Sequence, residues 1–285
     1  IVLGGGIVAC ELAQFLNRIG SKVIMVQRSQ HILSDSEPDM AAVLEQALID
    51  EGIELFTNTS IENIEPNENG VSVQFVHGHR AVIRQAQFLF NALGRKPSTS
   101  KLSLEEVGVD LLPSGHIQTD EFQMTSQPGI YAAGDCAGPH EIVHIAILQG
   151  ETAARHALGL KATPVDYDKV LSVVFTDPQV ASVGPPEKEL RERYGDALES
   201  AEFPFSDHGR SMLMEARRGY VRLFTNAKER KILRAECVGR DAGELIHSMA
   251  VAVGTGLTVD DLLKAPWYHP TLSEIWTYPL EDLAG

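Results

Sequence analysis

The first part of the chain passes from an apolar run to helical periodicity and back to an apolar run. Ile1–Leu3 is apolar and leads into consecutive glycines, and Lys22–Val26 is again mostly apolar. Between these runs the apolar side chains recur at the spacing of a helix that packs one face against a sheet. Their positions are Ala9, Leu12, Phe15, Leu16 and Ile19. The pattern predicts a strand, a helix and a second strand, the unit from which parallel sheets are built.

Beyond Gly52 the pattern shortens to alternation, which is typical of antiparallel strands. Asn69-Gly70 is a dipeptide that favours the tight turn of a hairpin. The strands predicted in this region are Ile53–Phe56, Val71–Val76, a buried strand over Phe88–Ala92, and Gly129–Asp135.

After residue 166 the pattern mixes antiparallel strands with helices. The predicted elements are strands over Val170–Phe175, Tyr220–Phe224 and Ile232–Val238 and helices over Glu187–Tyr194 and Ala242–Val253. The chain is therefore predicted to be α/β in its first part and α+β in its last part.

The glycines after the first strand have the G-x-G-x-x-A spacing of a dinucleotide-binding turn. Gly4 permits the tight turn, Gly6 lets a pyrophosphate approach the backbone, and the small Ala9 allows helix and strand to pack closely. The positive end of the helix then stabilises the pyrophosphate. A purely structural turn is the alternative, but the strand before and the helix after favour a Rossmann-like nucleotide-binding domain.

The residue at the end of the second strand discriminates between the two nicotinamide cofactors, because an acid there binds the ribose 2′-hydroxyl of NAD. This chain has Gln27 at that position, followed by Arg28 and Ser29. A cation and a hydroxyl suit a 2′-phosphate, so the sequence favours NADP. The alternative is that Arg28 is simply solvated and that the protein accepts NAD as well.

Composition argues against several classes of protein. The 285 residues carry 24 basic and 39 acidic side chains, and a formal net charge of −15 repels nucleic acid. We find neither an apolar run of membrane-spanning length nor a signal-peptide pattern, so we expect a cytoplasmic protein without a membrane partner. Cys10, Cys136 and Cys237 have no disulfide-framework or metal-ligand spacing, so we expect core cysteines and no metal.

Near the C-terminus, the segment WYHPTLSE places a histidine five residues before a carboxylate. A carboxylate on one ring nitrogen of His269 would fix its tautomer and leave the other nitrogen to exchange protons near neutral pH. Glu274 is the candidate carboxylate. The spacing also fits a loop histidine followed by a helix that starts near Thr271.

Five segments resemble, in the same order, motifs of the class I pyridine nucleotide-disulfide oxidoreductases. These segments are GGGIVACE, NALGRKP, GIYAAGDCAG, VVFTDPQVASVG and HPTLSE. The resemblance implies an NAD(P)-binding domain over 1–96, the C-terminal part of an FAD-binding domain over 97–165, and an interface domain over 166–285 that forms a homodimer. In that family an FAD-binding segment with a redox-active cysteine pair precedes these domains. We therefore expect a fragment that, alone, does not turn over NADPH and lipoamide.

The resemblance also implies which residues contact the cofactors. Asp135 would accept a hydrogen bond from a ribityl hydroxyl of FAD, although an acid here also suits a helix cap. A helix that begins near Ile142, with Val143 and His144 at its start, would point its N-terminus at the flavin, and His144 is alternatively a simple helix-entry residue. Glu11 matches an acid that pairs with a lysine beside the flavin, and Gly94 belongs to the cofactor site through the second motif.

His269 and Glu274 match the dyad with which this family protonates and deprotonates a dithiol substrate in the partner subunit's active site. The implied function is FAD-dependent electron transfer between NAD(P)H and a small disulfide or dithiol, as in dihydrolipoyl dehydrogenase. Two alternatives stay open. One is a mercuric reductase-like NADPH oxidoreductase without a dithiol substrate, which the Gln27-Arg28 pair favours, and the other is a nucleotide-binding dimerisation module without turnover.

Overall fold

The chain begins with a parallel sheet, in a computed structural model that describes residues 1–285. The elements up to residue 94 are β1 (Val2–Leu3), α1 (Ile7–Arg18), β2 (Ile24–Val26), α2 (Pro38–Asp50), β3 (Glu54–Phe56), β4 (Thr59–Asn67), β5 (Gly70–His77), β6 (Arg80–Ala86) and β7 (Phe90–Asn91). The parallel sheet has the order β3-β2-β1-β7, and β4 to β6 form a separate antiparallel sheet. The predicted βαβ unit and the hairpin at Asn69-Gly70 are therefore confirmed.

Helix α1 packs on the sheet through small side chains, and it buries Ala9, Cys10 and Ala13. Burial raises the pKa of the Cys10 thiol to about 12, as expected for a core cysteine. The prediction of a buried strand over Phe88–Ala92 was wrong about burial, because none of these residues is buried and Phe88 is 82% exposed. Only β7 pairs there, at the edge of the sheet, and apolar character does not reveal whether another element covers a strand.

Residues 95–170 form a second compact unit, which contains α3 (Val143–Ala157). The predicted start of this helix near Ile142 is confirmed. The predicted strand over Gly129–Asp135 was wrong, since Tyr131 makes only one isolated bridge there, to Met124. The chain bends at Gly129 and Gly134, where φ is +83° and +82°, and this interrupts a ladder of strand hydrogen bonds.

The last part of the chain is a five-stranded antiparallel sheet covered by helices. Its elements are β8 (Leu171–Val174), β9 (Gln179–Val183), α4 (Glu187–Tyr194), β10 (Leu198–Pro204), α5 (Gly209–Leu213), β11 (Tyr220–Asn226), β12 (Ile232–Gly239), α6 (Ala242–Thr255), α7 (Val259–Leu263) and α8 (Thr277–Ala284). The sheet order is β10-β11-β12-β9-β8. The predicted strands and helices of this part are confirmed, whereas β9 and β10 were not predicted.

Residues 1–94 and 171–285 together make up the first compact unit. Val174, Val180 and Val238 of the antiparallel sheet belong to the same apolar cluster as the buried faces of α1 and α2. The other side of that sheet has its own core, in which Trp276 is fully buried. No helix of the structure combines the length and the apolar character that crossing a bilayer requires.

A buried charge network links β11 and β12 to α2. Glu236 is fully buried and accepts a hydrogen bond from Arg234 at 2.7 Å between Nε and Oε1. Arg222 donates to the other carboxylate oxygen at 3.3 Å and also pairs with Asp39 of α2. Burial raises the pKa of Glu236, and the neighbouring guanidinium groups oppose this rise. The network connects the antiparallel sheet to helix α2 of the first segment.

Candidate functional site

The predicted dinucleotide-binding residues lie at the carboxyl ends of β1 and β2. Gly4 donates its N–H to the carbonyl of Val26 at 2.9 Å, which extends the pairing of β1 with β2 up to the start of the turn. Its φ is +109°, and a Cβ at this position would lie 2.5 Å from the carbonyl oxygen of Ala92. Both the backbone conformation and the close approach of β7 therefore require glycine here.

Gly6 precedes α1 and borders open space, since a Cβ on it would meet no atom within 4 Å. No side chain caps α1, and its first turn contains no acid. Ile7 and Val8, which form this turn, are 43% and 47% exposed. A helix start with uncapped N–H groups and room in front of it suits a pyrophosphate. Ala9 is fully buried, where its small side chain lets α1 approach the sheet.

Gln27 and Arg28 follow β2 at the same edge. The Gln27 side chain is nearly buried against Gly5, and its Oε1 accepts the backbone N–H of Arg28 at 3.1 Å. The Arg28 side chain is exposed. A neutral amide and an exposed cation replace the acid that would repel a 2′-phosphate.

Glu11 lies one turn into α1. Its Oε1 accepts the backbone N–H of Phe175 at 2.8 Å, which ties α1 to the segment after β8. Gly94, at the end of the first segment, has a φ of +126° and open space around its missing side chain.

In the unit of residues 95–170, Asp135 stands at the end of a chain of charged groups. Arg95 Nη1 lies 3.7 Å from its carboxylate and also pairs with Glu141, whose carboxylate is 3.6 Å from His116 Nε2. The side chain of Asp135 is 61% exposed, so a ligand can reach it. Asp135 does not cap α3, because the N-cap of that helix is Ile142 and no side chain caps it.

Helix α3 begins with Val143, which is 77% exposed, and His144, which is exposed as well. Its first turn contains no acid, so no carboxylate of that turn offsets the positive end of this helix. Such an end favours negative charge on a ligand.

Gln149 of α3 was not predicted to belong to a site, yet it holds the loop that carries Asp135. It is fully buried. Its Oε1 accepts the N–H of Gly134 at 2.6 Å, and its Nε2 donates to the carbonyl of Gly138 at 2.7 Å. A lone glutamine in a helical pattern carries no signal of this role, which depends on its burial.

His269 and Glu274 form the predicted pair. His269 Nδ1 lies 2.8 Å and 3.0 Å from the two carboxylate oxygens of Glu274. Because an ionised carboxylate only accepts hydrogen bonds, Nδ1 carries the proton and Nε2 of the neutral ring keeps its lone pair. The imidazole is 80% exposed and the carboxylate 11% exposed. The base, His269, is therefore accessible at the surface, whereas Glu274, which orients it, is largely buried.

The segment after His269 anchors Glu274, and the alternative interpretation of the spacing, a helix that starts near Thr271, does not match the structure. A 3₁₀ turn covers Ser273–Trp276, and α8 begins only at Thr277. The Trp276 indole is fully buried and donates to the carbonyl of Leu245 at 3.1 Å. This anchor holds the 3₁₀ turn that carries Glu274 against α6.

A second imidazole, which the sequence pattern did not indicate, lies against Glu274. His208 is fully buried, and its Nε2 is 3.4 Å from Glu274 Oε1. Its Nδ1 lies 2.8 Å from the hydroxyl of Ser211. Burial lowers the pKa of His208, although the carboxylate of Glu274 opposes this shift.

Comparison with protein families covers nearly the whole chain. Residues 1–150 match the pyridine nucleotide-disulphide oxidoreductase family, and residues 170–279 match the dimerisation domain of that family. A dihydrolipoyl dehydrogenase of Geobacillus stearothermophilus is 32% identical over 275 residues, which cover 96% of this chain and 58% of that protein. A mercuric reductase of Staphylococcus aureus is 32% identical over 274 residues, with coverage of 96% and 50%.

Solved structures give the same result. LpdA of Mycobacterium tuberculosis superposes with a TM-score of 0.89 at 31% identity, over 99% of this chain and 61% of that protein. RclA of Escherichia coli, an HOCl-induced flavoprotein disulfide reductase, has a TM-score of 0.86 at 26% identity, with coverage of 98% and 63%. The chain thus spans between half and two-thirds of the length of these relatives.

Proposed function

Because the chain belongs to the pyridine nucleotide-disulphide oxidoreductase family, we propose that it serves an FAD-dependent enzyme that transfers electrons between NAD(P)H and a small disulfide or dithiol. The observation that carries this proposal is the exposed imidazole of His269, held by the carboxylate of Glu274 at 2.8 Å. We assign residues 1–96 to NAD(P) binding, 97–165 to FAD binding and 166–285 to a homodimer interface. We further infer a cytoplasmic enzyme.

The residues present fit both cofactors. The open space at Gly6 and the uncapped start of α1 suit a pyrophosphate. The exposed carboxylate of Asp135 suits a ribityl hydroxyl of FAD, and the N-terminal turn of α3 at Val143 and His144 suits negative charge on the flavin. When bound, FAD would supply the electron-transfer chemistry between nicotinamide and disulfide.

In this proposal the protein moves a proton at His269 Nε2. In the direction of dithiol oxidation, the neutral ring takes a proton from the substrate thiol, and the adjacent carboxylate of Glu274 stabilises the resulting cation. In the reverse direction the same nitrogen returns the proton to the thiolate. Because the ring points away from its own core, we propose that it serves the active site of the partner subunit in a homodimer.

The proposed function is tested with the complete gene product and with residues 1–285 alone. We expect NADPH-dependent reduction of lipoamide or a related small disulfide by the complete protein, with a flavin absorbance spectrum. We expect the 285 residues alone to be colourless and inactive. Turnover with Hg(II) and with no disulfide would instead support the mercuric reductase-like alternative, which Gln27 and Arg28 favour. A complete protein without any turnover would leave only the binding-module alternative.

Replacing Arg28 by alanine should weaken NADPH binding roughly 10- to 150-fold and leave NADH binding nearly unchanged, since a charge-assisted hydrogen bond to phosphate contributes about 1.5–3 kcal/mol. Dissociation constants of both nucleotides, measured by fluorescence titration, check this expectation. Lys22→Ala is the matched control, because it removes the same charge from an exposed position before β2. Equal weakening of NADH and NADPH would contradict a contact between Arg28 and the 2′-phosphate.

A further inference from the structure

Glu274 lies between two imidazoles, the exposed ring of His269 and the buried ring of His208. We propose that His208 is a positioning residue that donates a hydrogen bond from Nε2 to Glu274 and thereby keeps His269 in its Nδ1–H tautomer. This inference rests on the proposed role of His269 as the proton-exchanging group.

The first argument is the hydrogen-bonding capacity of Glu274. A carboxylate accepts from several donors, and His269 supplies only one N–H. The residue is 8% exposed, so water has little access to its oxygens. His208 Nε2, at 3.4 Å from Oε1, approaches the carboxylate from the buried side. This distance exceeds the usual N–H···O separation of about 2.7–3.2 Å, so the proposed bond requires the two groups to draw closer.

The second argument is the tautomer of His208. Its Nε2 is fully buried and forms no hydrogen bond in the structure. A lone pair at Nε2 would face a carboxylate oxygen and repel it, whereas an N–H there satisfies both groups. Nδ1 then keeps its lone pair, and the hydroxyl of Ser211 donates to it at 2.8 Å.

The surroundings of His208 favour a neutral ring. Its ring contacts the edge of Tyr278 from α8 at a centroid distance of 6.0 Å, and Tyr278 in turn stacks on Phe203 of β10. The titratable groups that face it are Glu274 and, beyond that carboxylate, His269. Burial lowers the pKa of His208, which agrees with a neutral donor that leaves proton exchange to the exposed ring.

The order Ser211, His208, Glu274 resembles the triad of a serine hydrolase, but the burial excludes that function. A nucleophile must meet its substrate, and both Ser211 and His208 are 0% exposed. The arrangement is therefore suited to orienting Glu274 and not to attacking a substrate.

The test is ¹⁵N NMR of the imidazole nitrogens in the 285-residue chain, at a pH where both rings are neutral. We expect Nε2–H at His208 and Nδ1–H at His269. In His208→Leu the Nδ1–H share of His269 should fall by about half or more, because an imidazole without a fixed partner reverts to the tautomer it prefers in water. His208→Gln should retain that share, since its amide N–H can reach the same carboxylate.

His247→Gln is the control for the loss of an imidazole, because His247 bonds to the carbonyl of Gly243 on α6. This substitution should leave the Nδ1–H share of His269 unchanged. Two results would overturn the proposal. One is an unchanged tautomer of His269 in a folded His208→Leu variant, and the other is a wild-type His208 that carries its proton on Nδ1 or is charged. If the leucine variant does not fold, the tautomer of His208 in the wild type and the tautomer of His269 in His208→Gln still test the proposal. The measurement does not involve turnover. If the complete protein proved inactive, the proposed function would be rejected, but the tautomers measured here would be unaffected.

Discussion

Replacing His269 by glutamine is expected to lower disulfide turnover by the complete enzyme about 10²- to 10⁴-fold, the usual contribution of a positioned acid/base group. The variant loses the lone pair at Nε2 that accepts and returns the substrate proton. The half-reaction between NADPH and the flavin needs no such proton exchange and should keep its rate. Stopped-flow measurement of the two half-reactions separates these steps.

The control for this prediction is His247→Gln, which removes an imidazole from α6 outside the dyad. Glu274→Gln should cost about 10- to 100-fold, the typical effect of losing a group that orients a functional histidine. Near wild-type disulfide turnover in His269→Gln would show that another group exchanges the substrate proton. An equal loss in both half-reactions would show that the substitution acts through structure.

Replacing Glu236 by alanine is expected to lower the free energy of unfolding by about 3–5 kcal/mol, the cost of removing one partner from a buried ion pair. The change leaves the guanidinium groups of Arg234 and Arg222, whose side chains are 6% and 13% exposed, without their buried carboxylate. Urea denaturation of the 285-residue chain measures the effect as a lower transition midpoint.

Glu199→Ala is the matched control for Glu236→Ala. Glu199 lies on β10 of the same sheet but is exposed, so its removal should change the free energy of unfolding by less than about 0.5 kcal/mol. Equal effects of the two substitutions would show that the buried network contributes no more to stability than an exposed carboxylate does.

The elements that could be predicted are those with strong local patterns. The turn at Gly4, the helix that follows it and the hairpin at Asn69-Gly70 each depend on neighbouring residues, and all are present. Glu187–Tyr194 was predicted with its observed bounds. The failures occurred where apolar character was the only evidence, as at Phe88, which no element covers, and at Gly129–Asp135, where bends replace a strand.

Within the site of His269 and Glu274, too, one part could be predicted from local sequence and another could not. The five residues from His269 to Glu274 allow the two side chains to meet in a single turn, so their pairing was accessible without coordinates. Nothing near either residue points to His208, which reaches Glu274 only because the start of α5 packs beside the 3₁₀ turn of Ser273–Trp276. Periodicity carries no information about such a distant neighbour.

The order of the amino acids determined the βαβ start with its glycine turn, the α+β character of the last part and the histidine–glutamate pair. These features depend on residues a few positions apart, and short-range geometry and hydrophobic spacing specify them. Only the folded structure shows that Glu236 pairs with two arginines and that the buried imidazole of His208 contacts Glu274. Burial and partners of polar groups are set by packing between distant segments, and this packing also determines their protonation.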